Sequence, residues 1–69
     1  MPQYCVNKNA QPNGDHEVHA QGCAYWPANW NVQDLGWHLD CHSAVQAAKL
    51  YYPYSANGCA FCSPACHTG

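Results

Sequence analysis

The sequence predicts an α+β fold: a small zinc-stapled antiparallel sheet of about three short strands with one helix, forming a single domain over residues 1–69. Three observations predict it. Two pairs, His19-x-x-x-Cys23 and Cys59-x-x-Cys62, stand at metal-ligand spacing in the two halves of the chain. Large aliphatic side chains are limited to Val6, Val18, Val32, Leu35, Leu39, Val45 and Leu50, with Met1 at a frayed terminus. One segment, from Ser43 to Pro53, carries a helix start, an apolar face and a stop.

Tyr4-Cys5-Val6 is the first strand candidate, followed by a polar stretch in which Asn9, Pro12, Asn13 and Gly14 break regular structure. Glu17-Val18-His19 is the second, joined to the first as an antiparallel hairpin with a long loop. Strand alternation puts Glu17 and His19 on one face, and His16 and Val18 on the other. Gln21-Gly22-Cys23 turns the chain so that His19 and Cys23 face one point. Residues 24–34, with Trp26-Pro27 and Trp30, show neither strand nor helix period and predict an ordered loop whose rings cover the core. Leu35, Trp37 and Leu39 alternate with Gly36 and His38, which predicts a third strand from Leu35 to Leu39.

Ser43-Ala44-Val45-Gln46 matches a capping box and opens a helix from about Ala44 to Tyr52. Its apolar face is either Ala44, Ala48 and Tyr51 or Val45, Ala48 and Tyr52, and Pro53 ends it. Asn57-Gly58 predicts a turn directly before Cys59.

So few large apolar groups cannot readily offset an ordering cost of roughly 1–2 kcal/mol per residue, so a metal or disulfides must belong to the fold. Two lysines, no arginine and four acidic residues leave no basic stripe to neutralise phosphates, which argues against nucleic acid as a partner. No apolar run approaches the roughly 20 residues of a membrane span, and Met1-Pro2-Gln3-Tyr4 lacks the start of a signal peptide. The expectation is therefore a cytoplasmic protein without a membrane partner, in a compartment where six cysteines favour metal over disulfides. An even cysteine count is also what a secreted disulfide scaffold shows.

The predicted metal ligands are His19, Cys23, Cys59 and Cys62, around one Zn2+. His16, Cys66 and His67 compete with His19 for the fourth place. Three close cysteines also fit an iron–sulfur cluster, although no fourth ligand stands at cluster spacing. Cys5, Cys41 and His42 read as packing residues; the alternatives for them are a second metal on Cys5, Cys41 and Cys66, or a Cys5–Cys41 disulfide in an oxidising compartment. Trp37 and Tyr51 are assigned to the core, with Trp26, Trp30 and Tyr54 left for a partner surface.

In order of elements, this arrangement over residues 4–66 resembles the zinc-binding domain of the Ada DNA-repair family. The strand ends in Val18-His19, the pair closes at Cys23, a strand follows at Leu35-Gly36-Trp37, then a helix with Ala44-Val45-Gln46-Ala47-Ala48, then Cys59-x-x-Cys62. In that family the first ligand is a cysteine that accepts a methyl group from a DNA phosphotriester. Here the position is His19, so the resemblance does not carry that activity over. Val6 to Gln11, Gly14 to His19, and Asn57 to Thr68 are more closely similar to a group of short bacterial proteins of uncharacterised activity, which implies a free-standing small protein.

A site with four protein ligands is closed and structural, whereas catalytic zinc keeps a position for water beside a general base. Glu17 is the one carboxylate near enough in sequence to act as that base. The expected function is accordingly a non-enzymatic zinc module acting by protein contact, the partner itself being unspecified. The alternatives are a zinc- or thiol-dependent enzyme, a metal buffer and a secreted disulfide-rich peptide.

Overall fold

A computed structural model describes residues 1–68. The fold is α+β, with strands β1 (Gln3–Asn7), β2 (His16–Ala20), β3 (Val32–Trp37) and β4 (Ala56–Gly58), and one helix, α1 (Cys41–Ala48). Short 3-10 turns occupy Asn29–Asn31 and Pro64–Cys66. The sheet runs β3-β1-β2-β4, and it is mixed, because β1 pairs antiparallel with β2 and β3 while β4 lies parallel to β2. The strand count is therefore four rather than about three. Asn57-Gly58 is not a turn but the end of β4, where His16, Glu17 and Val18 pair with Ala56, Asn57 and Gly58. Gly58 suits this place because a Cβ on it would stand 2.7 Å from the Cβ of Cys66 and 2.8 Å from its carbonyl carbon.

Alternation gives the sheet two unlike faces. Tyr4, Val6 and Val18 turn to the helix and form the core with Cys41, Ala44 and Ala48; Ala20, Leu35, Val45, Tyr52, Ala56 and Cys66 pack around it. Cys5 stands directly opposite His19 in the β1–β2 register, and both are buried, on the face away from the helix.

The helix begins three residues earlier than the capping-box pattern predicts. Asp40 is the N-cap: its Oδ1 accepts from the Ser43 amide at 3.1 Å, so Ser43 lies inside the first turn. The earlier start places Cys41 on the buried stripe with Ala44 and Ala48, the spacing of one helix face. Regular helix ends at Ala48; beyond it, the Tyr52 amide still donates to Ala48 O at 2.9 Å, turning Tyr52 inward and leaving Tyr51 about half exposed.

β3 also departs from expectation. Its register against β1 shifts between Tyr4, paired with Gly36, and Cys5, paired with Asp34, so Leu35 is an extra residue at a bulge. The Asp34 carboxylate accepts from the Gly36 amide at 2.9 Å and holds the kink. The bulge breaks the period of two, so Leu35 packs on the core while Trp37 is 63% exposed and Leu39, past the strand end, is 77% exposed. Trp37 and Tyr51 are thus surface residues, and Tyr4 is the aromatic ring of the core. Nor does the 24–34 loop shield the core with its rings: Trp30 is 79% exposed.

Candidate metal centre

The ends of β2 and β4 are neighbours, and each is followed by a tight turn that brings the chain back on itself. After β2, Gly22 adopts φ +92°, a left-handed conformation open to glycine at little cost, and the Cys23 amide donates to Ala20 O at 3.1 Å. After β4, the Cys59 amide donates to Val18 O at 3.0 Å, continuing the parallel ladder, and the Ser63 amide donates to Cys59 O at 2.8 Å, which carries Cys62 round. The ligand atoms of His19, Cys23, Cys59 and Cys62 consequently lie within 4.8 Å of one another, and this group can hold a metal ion. His19 and Cys59 are buried, and Cys23 and Cys62 are half-buried.

The distances from His19 Nδ1 are close to those around a four-coordinate ion. Metal–sulfur and metal–nitrogen bonds of zinc length at tetrahedral angles separate the donors by about 3.5–3.8 Å. His19 Nδ1 stands 3.7 Å from Cys23 Sγ and 4.0 Å from Cys62 Sγ. Its other nitrogen, Nε2, lies 3.8 Å from Glu17 Oε1. A proton on Nε2 would face the carboxylate and leave the Nδ1 lone pair directed at the sulfurs, in the manner of a carboxylate beside a metal-binding imidazole. Amides support the sulfurs, with Tyr25 N donating to Cys23 Sγ and Ala20 N to Cys62 Sγ, both at 3.4 Å.

The electrostatics suit a cation. Burial pushes the His19 pKa below the ordinary 6.5, so the ring stays neutral and able to donate a lone pair. Burial pushes the Cys62 thiol up, only partly offset by the Ala20 amide. Cys5, buried beneath the group, is pushed up to about 12 by desolvation, against which the His19 amide acts in the opposite direction. Cys62, as one of the four donors, would become a thiolate when a cation takes its proton's place.

The residues competing for the fourth place lie elsewhere. His16 stacks on Tyr52 with ring centroids 3.7 Å apart, and its Nδ1 bonds Asn7 O at 2.9 Å. His67 donates from Nδ1 to Gly58 O at 3.0 Å. Cys66 is bonded to Cys41 in a disulfide across 25 residues, so neither the Cys5–Cys41 bridge nor a second metal on Cys5, Cys41 and Cys66 is formed; Cys5, Cys23, Cys59 and Cys62 are the free cysteines.

Cys41, His42 and Cys66 make a second group whose ligand atoms lie within 4.8 Å of one another. Sequence reasoning left Cys41 and His42 as packing residues. The available signal was the repeated Cys-His dipeptide, at 41–42 and again at 66–67, each next to a helix-start residue or a proline turn. No helix among the described residues is long and apolar enough to cross a membrane. Comparison with family models, curated proteins and solved structures returned no match, so the chemistry of the site rests on its own residues.

Proposed function

We propose that this chain is a small zinc-binding module whose metal is structural and whose work is protein contact, as an adaptor or accessory factor. The observation that carries it is the convergence of four donors, three sulfurs and one imidazole, two of them buried and two half-buried. Zinc favours this donor set, and bound there it would supply a cross-link of two turns and no reactive position. His19 Nδ1 and the sulfurs of Cys23, Cys59 and Cys62 would hold it. Glu17, the one candidate base, lies 3.8 Å from His19 Nε2, on the ring edge away from the sulfurs, which favours a closed site over the enzyme reading.

The Ada-type resemblance enters on the same terms. First pair, strand, helix, second pair is the order of elements along this chain. With His19 at the methyl-acceptor position and only Lys8 and Lys49 as cations, neither methyl transfer nor docking on a phosphate backbone is part of the proposal. What the site does present to a partner is aromatic. Tyr25, two residues past Cys23, and Phe61, between Cys59 and Cys62, stack at 4.6 Å while remaining 55% and 72% exposed.

Cobalt substitution tests the ligand set. A tetrahedral spectrum with three sulfur ligands is expected, moving to a four-sulfur pattern in His19→Cys with binding at least as tight. An unchanged spectrum in that variant would remove His19 from the site. A five-coordinate spectrum with bound water would overturn the closed site and return Glu17 to the role of a base.

A further inference from the structure

We propose that Cys41, His42 and Cys66 form a second metal site that opens when their disulfide is reduced, taking a thiophilic divalent cation such as Zn2+. The sulfurs and a ring nitrogen of His42 already lie within 4.8 Å of one another. The two backbones that carry the sulfurs are each anchored by contacts other than the S–S bond. Cys41 is the first residue of α1, fixed by the Asp40 cap and by burial of the same helix face in the core. Cys66 is fixed separately. Its amide donates to Ser63 O at 2.9 Å, its backbone packs on Gly58, and the next residue bonds back through His67 Nδ1 to Gly58 O. With both backbones held by the fold, breaking the bond frees two donors that move apart by side-chain rotation to the spacing of about 3.8 Å that two sulfurs on one tetrahedral ion require.

His42 supplies the third. It is exposed, it lines a surface cleft with Asp40, Ser43, Asn57, Cys66 and Thr68, and its ring makes none of the side-chain hydrogen bonds that occupy His16, His38 and His67. The cleft gives a reductant and an ion access to the half-buried Cys66. Three protein ligands leave a fourth position facing that cleft, unlike the closed set on the other side of the sheet.

The chemistry balances with a trialkylphosphine as reductant. The phosphine gives two electrons to the S–S bond, which breaks; water provides the oxygen of the phosphine oxide and the two protons of the Cys41 and Cys66 thiols. Binding the ion then releases both protons to solvent.

Native mass spectrometry of the zinc-loaded full chain, with and without the phosphine, tests this. The expected result is a gain of one zinc ion on reduction, counted from whatever number the oxidised protein holds. Oxidised protein holding no zinc would sink the closed site proposed above, whereas absence of the increment sinks this second site alone. Cys66→Ser should show no gain. His42→Ala, at an exposed position that the fold does not need, should weaken the gained ion at least about tenfold, the smallest cost usual for losing even a residue that supports a ligand. An unchanged count on reduction, an unchanged increment in His42→Ala, or loss of the near-UV tryptophan signal on reduction would each overturn the proposal.

Discussion

The two faces of the sheet are closed by different means. Towards α1, Tyr4, Val6 and Val18 meet Ala44 and Ala48, and burial of apolar surface draws strand and helix together. Away from α1, the buried layer is Cys5 and His19, with Cys59 at the strand end, and none of these is a large aliphatic group. Polar donors do not gather in the dry without a partner for their lone pairs. The first face therefore explains itself by packing. The second is intelligible once one ion joins its four donors, and this asymmetry is where the proposed zinc can be attacked experimentally.

Metal removal is the most severe test. Sites of this kind contribute about 10–16 kcal/mol of apparent binding energy at neutral pH, against total stabilities of about 5–15 kcal/mol for ordinary domains. Chelation should unfold the chain, erasing the near-UV signal of Trp26, Trp30 and Trp37. Dispersed amide resonances in metal-free protein would show that the helix face holds the fold alone. Single substitutions sharpen the contrast: Cys23→Ser, Cys59→Ser and Cys62→Ser should each lose stoichiometric zinc. Cys5→Ser should keep the ion while costing about 1–3 kcal/mol for a buried hydroxyl. If Cys5→Ser loses zinc as completely as Cys62→Ser, the layer beneath the ion is itself part of the donor set.

Acid acts on the donor face through His19. Because burial holds its folded pKa below the unfolded 6.5, the unfolded chain takes up the proton first. The stability this neutral ring contributes is complete above about pH 6.5 and is lost as pH falls from there towards the folded value. A bound ion at Nδ1 deepens the loss, since proton and metal compete. Cobalt absorbance and tryptophan near-UV signal, followed in one acid titration, should decline together; absorbance that vanishes while the near-UV signal persists would uncouple ion from fold.

The helix face has its own staple, and it should matter less. Closing a loop of 25 residues with a disulfide is worth about 3.5 kcal/mol in the chain-entropy account. Cys41→Ala/Cys66→Ala should lower the denaturation free energy by about that much, and zinc counted by mass spectrometry should stay at one. Loss of the ion in this variant would mean that the two faces are not independent.

How far the sequence carried follows from the same division. The clustering of His19, Cys23, Cys59 and Cys62 was legible because short spacings, x-x-x and x-x, reflect local turns, and because Glu17 and His19 share a face by simple alternation. The first two strands and the existence of the helix were legible for equally local reasons. The disulfide was not, since Cys41 and Cys66 are brought together only once β4 has added in parallel beside β2. Trp37 was misplaced because one extra residue at Leu35 reverses the pleat, a shift that Gly36 and Asp34 permit without announcing. Asn57-Gly58 reads as a turn locally, and pairing with β2 overrides that preference.

The smallest predicted effect concerns the start of α1, where sequence and structure disagree about which residue caps the helix. Asp40 accepts from the Ser43 amide, while Ser43 Oγ sits 3.2 Å from Asp40 O and 3.2 Å from His38 Nδ1, already within the first turn. Asp40→Ala leaves that amide without its side-chain acceptor and should cost about 1 kcal/mol. Ser43→Ala removes an exposed hydroxyl whose two contacts water can replace, and should cost less. Both changes lie on the helix side of the sheet, so neither should move the zinc affinity. Thermal melts of the two variants decide the order: a larger loss for Ser43→Ala would restore the capping box and move the helix start, and Cys41 with it, back towards Ala44.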